Sequence, residues 1–143
     1  MKEKISRLQF LDRSAKLMMA GMLAPFITNG AELFQTRKVK IGLIGCGSVS
    51  GMYLPHLSKS PYMELVSVCD IIPERAKAAA AQYKVPNYYV HIDQQLAGAP
   101  FDLLVNLTDM QEHGRLNKLA LLKKRHVWSE KPMANTYAEG KAL

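Results

Sequence analysis

Apolar and polar positions from Val39 onward alternate between short apolar runs and stretches with helical spacing. Five apolar runs are typical of strands, at residues 39–44, 64–69, 87–90, 101–107 and 126–129. Two stretches between them are typical of helices, at residues 73–83 and 112–124. Strands that alternate with helices predict an α/β domain, in which a parallel sheet is covered by helices on both faces.

The helix after the first strand is less clearly marked, because Pro55 falls inside it. A proline in mid-helix removes one backbone hydrogen bond and clashes with the preceding turn. The pattern therefore predicts a helix that either kinks at Pro55 or starts near it after a longer loop.

Residues 1–36 have a different pattern, the tripartite arrangement of a secretory signal. A polar, basic stretch at 1–16 precedes an apolar run at 17–27 and a short polar tail. Gly21 and Pro25 interrupt the run, which is shorter than the roughly 20 residues that cross a membrane, so no stable membrane anchor is expected. The chain thus divides into a signal-like leader, residues 1–36, and a folded domain, residues 37–143.

Within the leader, Ser6-Arg7-Leu8-Gln9-Phe10-Leu11 resembles the twin-arginine export signal, with Leu8 in place of the second arginine. The alternatives are a Sec-type signal and an amphipathic helix packed on the domain. We expect a periplasmic protein, and a cytoplasmic one if the leader does not function.

Charge and cysteine content exclude two classes of function. The 143-residue chain has a net charge of +7, but residues 1–38 alone hold seven basic and three acidic side chains. The rest is weakly basic, so no nucleic-acid partner is expected. Cys46 and Cys69 supply neither a disulfide scaffold nor four zinc ligands, so no metal site is expected. They lie at the same end of adjacent predicted strands, as two buried thiols or as a disulfide formed after export.

A glycine-rich loop, Gly-Cys-Gly-Ser-Val-Ser-Gly at residues 45–51, directly follows the first strand. Gly45 permits a tight turn, Gly47 lets the backbone approach a pyrophosphate, and the amides that open the next helix bind its charge. Asp70 ends the second strand 23 residues after Gly47 and would accept hydrogen bonds from the adenosine ribose. These features predict a Rossmann-type doubly wound parallel sheet. The residues expected to bind the dinucleotide here are Gly45, Cys46, Gly47, Ser48, Val49, Asp70 and Ile71.

The acidic residue also bears on the choice of cofactor. The carboxylate of Asp70 repels a 2′-phosphate, and the following Ile71 and Ile72 offer no cation, so NAD is favoured over NADP. The alternative for the glycine loop and Asp70 together is a glycine turn in an α/β protein that holds no cofactor.

A second motif, Glu130-Lys131-Pro132, follows the last predicted strand. Together with the glycine loop and residues 108–113, it closely resembles the Gfo/Idh/MocA family of glucose–fructose oxidoreductases and inositol dehydrogenases, from about residue 39 to residue 143. The resemblance implies that Lys131 is catalytic, taking the hydroxyl proton as hydride leaves the sugar carbon. It also implies that Glu130 and Pro132 shape the nicotinamide end. The alternative for Lys131 is a solvent-exposed lysine after a strand.

The segment after the fourth strand matches the family in part. Family members usually have Thr-Pro-Asn there, with a histidine shortly after. Thr108 and His113 match, and the resemblance places both at the cofactor. Asp109 and Met110 replace the proline and the asparagine, which alters the contacts expected along the cofactor. The alternative for His113 is a histidine that merely begins a helix.

The last residues indicate an unfinished domain. Thr136 and Glu139 have the spacing of a capping box, at the start of a helix well short of the roughly 12 residues that give isolated stability. Family members continue into an α/β substrate domain. We therefore expect the sheet to be incomplete at its C-terminal end and truncated before that domain, and we expect a homo-oligomer at full length.

Three functions are open on these grounds. The first is the NAD(H)-binding portion of an oxidoreductase, which transfers hydride between a secondary alcohol of a sugar or polyol and nicotinamide. The second is a glycosidase of the same family, which retains NAD and oxidises the sugar only transiently. The third is a truncated, non-catalytic dinucleotide-binding fragment, and the 143-residue chain alone is expected to be inactive.

The leader generates a prediction that separates the export routes. If it is a damaged twin-arginine signal, Leu8→Arg should raise the periplasmic fraction of a leader–reporter fusion that folds before export. A Sec signal responds mainly to the apolar run, so Gly21→Leu with Pro25→Leu should raise export instead. Fractionating cells that carry each fusion measures both. A reporter that stays cytoplasmic in every variant would contradict the assignment of an export signal.

Overall fold

The computed structural model describes residues 37–143, and the predicted leader lies outside them. Five parallel strands form one sheet in the order β3-β2-β1-β4-β5. The strands are β1 (Val39–Ile44), β2 (Met63–Cys69), β3 (Asn87–Tyr89), β4 (Leu103–Asn106) and β5 (His126–Ser129). The helices are α1 (Ser50–Lys59), α2 (Pro73–Tyr83), α3 (Ile92–Ala97), α4 (His113–Leu122) and α5 (Tyr137–Lys141). A 3-10 turn, Met110–Glu112, precedes α4. This strand order confirms the predicted Rossmann-type doubly wound sheet.

Each face of the sheet has its own apolar core, closed by two helices. Leu54 of α1 and Ala79 of α2 belong to one core, together with the fully buried Leu43 of β1. Leu96 of α3 and Leu116 of α4 belong to the other. Both faces of β1 are therefore covered, as expected for the central strand of a parallel sheet. Among residues 37–143, no helix is long and apolar enough to cross a membrane.

Helix α1 resolves the two readings of Pro55. It begins at Ser50 and includes Pro55, so the later start is wrong. Pro55 has no amide hydrogen to donate to the carbonyl of Gly51, four residues earlier. Gly51 is exposed, so water can satisfy that carbonyl. Ser50 is buried and its hydroxyl donates to the carbonyl of Gly47 at 2.6 Å, which fixes the helix to the glycine loop.

Helix α3 was not predicted from the sequence. It has six residues, too few to produce a convincing helical period. Its start is held by the side chain of Gln94, whose Oε1 accepts from the amides of Val90 and His91 at 3.3 and 3.4 Å. Its apolar side is short as well, consisting of Ile92 and Leu96.

A buried glutamine of α3 links the helix to two strands. Gln95 is fully buried, and its Nε2 donates to the carbonyl of Leu43 at 3.1 Å and to the hydroxyl of Ser67 at 3.0 Å. The register between β1 and β2 shifts just before this point, between Ile41 and Gly42. Gln95 thus supplies donors to backbone and side-chain acceptors in the sheet interior.

The last helix begins with a modified capping arrangement. The hydroxyl of Thr136 accepts from the amide of Glu139 at 3.2 Å, as predicted. The carboxylate of Glu139 accepts from the amide of Asn135 at 2.9 Å, whereas in a standard capping box it would accept from Thr136 itself. Both contacts stabilise the start of a five-residue helix.

The glutamine contacts generate a stability prediction. Gln95→Ala should lower the free energy of unfolding by about 2–4 kcal/mol, because it removes two buried hydrogen bonds and leaves a cavity. Gln82→Ala on the exposed side of α2 is the matched control and should change it by less than about 0.5 kcal/mol. Urea unfolding measures both free energies. Equal changes in the two variants would contradict the role given to Gln95.

Candidate dinucleotide site

The described residues form a cleft of about 540 Å³ along the carboxyl ends of the strands. It lies next to β1, where the strand order reverses from β2 on one side to β4 on the other. In open α/β sheets this reversal point is where ligands bind. The predicted site residues that line the cleft are Gly45, Gly47, Asp70, Ile71 and Thr108.

Gly45 makes the turn at the end of β1. Its φ is +92°, a conformation that side-chain-bearing residues rarely adopt. A Cβ on it would lie 2.6 Å from the carbonyl carbon and oxygen of Leu107, which belongs to the loop after β4. Glycine is therefore required twice here, for the backbone conformation and for close packing against the neighbouring loop.

Gly47, which lines the cleft, is the first of three residues whose amides are unpaired within residues 37–143. A Cβ on Gly47 would meet just the guanidinium of Arg75, at 3.9 Å. Within the described residues, the amides of Gly47, Ser48 and Val49 donate no hydrogen bond. Unpaired amides at the start of a ten-residue helix attract an anion, so the loop fits a pyrophosphate group.

Asp70 is held by the backbone on both sides. It is 6% exposed, its Oδ2 accepts from the amide of Cys46, and its Oδ1 accepts from the amide of Ile72, each at 2.8 Å. Each carboxylate oxygen has a second acceptor position. Asp70 lines the cleft, so ribose hydroxyls can still donate to it. The carboxylate therefore shapes the loop as well as offering acceptors to a ligand.

The two cysteines are free thiols, and neither is a nucleophile at neutral pH. Burial, and then the charge of Asp70, raise the pKa of Cys46 to about 12. Burial also raises the pKa of Cys69 to about 12. Thiols in this state are inert fillers. Within residues 37–143, no group of three or more His, Cys, Asp or Glu side chains is placed to hold a metal ion.

The loop after β4 is fixed by a chain of amides. The Oδ1 of the buried Asn106 accepts from the hydroxyl of Thr108 at 2.7 Å, and its Nδ2 donates to Asn117 of α4 at 2.8 Å. Asn117 in turn donates to the carbonyl of Met133 at 3.2 Å. The loop that lines the cleft and the segment after β5 are thus tied to the same helix.

The structure does not bring His113 into the cleft. The residue is 1% exposed, and its ring has Nδ1 2.7 Å from the carbonyl of Pro132 and Nε2 2.9 Å from the carbonyl of Thr108. The predicted contact with the cofactor is replaced by a structural one, because the helix start buries the ring between two loops.

Glu130, Lys131 and Pro132, here called the lysine turn, follow β5 and do not line the cleft itself. The Oε2 of Glu130 accepts from the amide of Lys131 at 3.2 Å, and its Oε1 accepts from the hydroxyl of Tyr53. These two bonds hold the pKa of Glu130 below its ordinary value, with the hydroxyl as the larger cause. Lys131 is exposed, so its position alone fits either a catalytic or a solvent-facing lysine.

The sequence reasoning missed Arg75, an exposed residue whose side chain lines the cleft. The prediction considered only Ile71 and Ile72, which carry no charge, whereas Arg75 lies three residues further on, in the first turn of α2. Its position on a helix that begins at Pro73 was the signal available in the sequence. Asp109, which replaces the family's proline, also lines the cleft.

Comparisons with known proteins agree with this geometry. The profile of the Gfo/Idh/MocA oxidoreductase family, described as an NAD-binding Rossmann fold, matches residues 39–143. The inositol 2-dehydrogenase of Salmonella typhimurium is 27% identical over 103 residues, which are 71% of this chain and 31% of the relative. A glycosyl hydrolase family 109 protein of Streptomyces niveus is 30% identical over 114 residues, which are 73% of this chain and 23% of the relative.

A solved structure supports the same assignment. The WlbA dehydrogenase of Bordetella pertussis, in complex with NADH and UDP-GlcNAcA, superimposes with a TM-score of 0.70 at 34% identity. The superposition covers 74% of this chain and 33% of WlbA. The chain spans about a third or less of the length of these relatives. Fold, glycine loop and profile match therefore agree that residues 39–143 belong to the Gfo/Idh/MocA oxidoreductase family, as its NAD-binding Rossmann domain.

Proposed function

We propose that this chain is the NAD(H)-binding portion of a sugar or polyol oxidoreductase, which transfers hydride between a secondary alcohol and nicotinamide. The observation that carries the proposal is the cleft at the carboxyl edge of the sheet. It combines the unpaired amide of Gly47 with the carboxylate of Asp70 on the β2 side. The lysine turn follows β5, on the other side of β1.

The residues have separable tasks in this proposal. The amides of Gly47, Ser48 and Val49 bind the pyrophosphate, and Asp70 accepts from the adenosine ribose hydroxyls. NAD, when bound, supplies the hydride acceptor. The Nζ of Lys131 takes the proton of the substrate hydroxyl. The carboxylate of Glu130, which accepts from the amide of Lys131, keeps the backbone of that lysine in place.

The relatives support a cyclic polyol or a sugar as the substrate class. One relative is an inositol 2-dehydrogenase, and WlbA was solved with a nucleotide sugar. Each carries the matched domain within a chain about three times as long, so the selection of one substrate belongs to the whole protein.

A second candidate is a glycosidase that retains NAD and oxidises the sugar transiently. The relative from Streptomyces niveus favours it, because it is described as a glycosyl hydrolase family 109 protein. Both candidates need the same cofactor site, so the described cleft serves either one.

The leader pattern supports a further part of the proposal, that the protein is exported to the periplasm. The basic stretch, the apolar run and the segment around Arg7 are the features that support it.

The lysine generates the activity prediction. In the longest form that its gene encodes, the protein should form NADH from a polyol or sugar, and Lys131→Met should lower kcat about 10²–10⁴-fold, the usual contribution of a general base. Absorbance at the reduced nicotinamide band measures this. Release of a sugar leaving group without net NADH would identify the glycosidase instead. Turnover by the 143-residue chain alone would contradict the expectation that it is inactive.

Asp70 and Arg75 generate a paired prediction on cofactor binding. Asp70→Asn keeps the side-chain volume and one acceptor but loses the charge, so NAD affinity should fall by about 1–3 kcal/mol while NADP affinity falls less or rises. Arg75→Gln should lower the affinity for both dinucleotides, because its guanidinium lies 3.9 Å from where a Cβ on Gly47 would stand, beside the loop that fits the pyrophosphate.

Calorimetric titration of each variant with both dinucleotides measures the four affinities. Lys77→Gln, an exposed cation on the same helix outside the cleft, is the control and should change neither affinity. The assignments would be wrong if Asp70→Asn changed both affinities equally.

A further inference from the structure

Tyr53 of α1 contacts the lysine turn, although the two are far apart in sequence. Its hydroxyl donates to the Oε1 of Glu130, 77 positions later. Its ring packs on Trp128 of β5, with centroids 5.0 Å apart and planes tilted by 57°. The hydroxyl and the ring therefore act on two different residues of the same β5 end.

Glu130 connects Tyr53 to the backbone of Lys131. One carboxylate oxygen accepts from Tyr53 and the other accepts from the amide of Lys131. Donation to Glu130 raises the pKa of Tyr53, and the same bond lowers the pKa of Glu130. The raised pKa of Tyr53 and the lowered pKa of Glu130 both mean that a neutral tyrosine donates to an ionised carboxylate. A hydrogen bond to a charged acceptor is stronger than one between neutral groups.

The other side of the lysine turn is fixed separately. His113 and Asn117, one turn apart on α4, face the carbonyls of Pro132 and Met133. Tyr53 thus restrains the residue before Lys131, while α4 restrains the residues after it.

The strand order gives this contact a location relative to the cofactor. Asp70 follows β2, on one side of β1, and Lys131 follows β5, on the other. A dinucleotide laid across the reversal point, with its adenosine ribose at Asp70, places its second nucleotide over β4 and β5. Tyr53 lies in the first turn of α1, directly after the amides that fit the pyrophosphate.

We propose that Tyr53 is a positioning residue for the nicotinamide half of the cofactor. It acts through Glu130, connecting the helix that follows the pyrophosphate loop to the backbone of Lys131. This inference rests on the proposed function and adds to it a residue that contributes nothing to the adenosine half.

The test compares NADH with ADP-ribose, which lacks the nicotinamide. Tyr53→Phe removes the hydroxyl and keeps the ring on Trp128. It should weaken NADH binding about three- to tenfold, the value of one ordinary hydrogen bond, and leave ADP-ribose binding within about twofold. Calorimetry measures both affinities. Trp128 is the chain's single tryptophan, and reduced nicotinamide absorbs where tryptophan emits, so quenching of its emission reports the nicotinamide half.

Two further variants separate positioning from general damage. Tyr62→Phe removes the hydroxyl of a tyrosine that is 71% exposed and should change neither affinity. In a Glu130→Ala background, Tyr53→Phe should have no further effect on NADH, because the tyrosine acts through that carboxylate.

The outcomes distinguish the two proposals. If the unmutated chain binds neither ligand, the proposed function is wrong and this inference fails with it. If it binds both, and Tyr53→Phe leaves NADH affinity unchanged or weakens both ligands equally, the inference alone is overturned. An additive effect of Tyr53→Phe in the Glu130→Ala background would also overturn it.

Discussion

A buried carboxylate shared between two backbone amides is the contact on which the site depends. Asp70 accepts from Cys46 in the loop after β1 and from Ile72 in the loop before α2. A buried charge is tolerated when such donors satisfy it, so the carboxylate and the two loops hold one another in place. Gly45 can then close against the loop after β4, and the amides of the glycine loop remain free for an anion.

The segment after β5, which lies outside the cleft, is held by side chains of two helices. Helix α4 presents His113 and Asn117 to carbonyls after β5, while α1 presents Tyr53 to Glu130. Parallel strands end at one edge of the sheet, so loops that are far apart in sequence meet there. Polar side chains from the covering helices are what fix those loops relative to each other, since the strands themselves do not extend that far.

Much of the fold could be predicted from the local pattern of apolar and polar residues in the sequence. The bounds of β1, α2 and β5 agree with prediction, because apolar runs and a proline-led alanine helix are local signals. Helix α3 was not predicted, because six residues give too little periodicity. The residue that links it to the sheet, Gln95, is polar and yet fully buried. Burial of a polar side chain depends on the acceptors that the sheet places around it, which no window of sequence contains.

The sequence by itself determined the strand–glycine–helix unit, the acidic residue after β2 and the lysine turn, because each is a short motif whose chemistry follows from its residues. The tertiary structure decided what those residues contact. It placed Arg75 at the cleft, buried His113 between two carbonyls and joined Tyr53 to Glu130. These contacts arise where the parallel strands end together, and a pairing across 77 positions leaves no local trace in a single sequence.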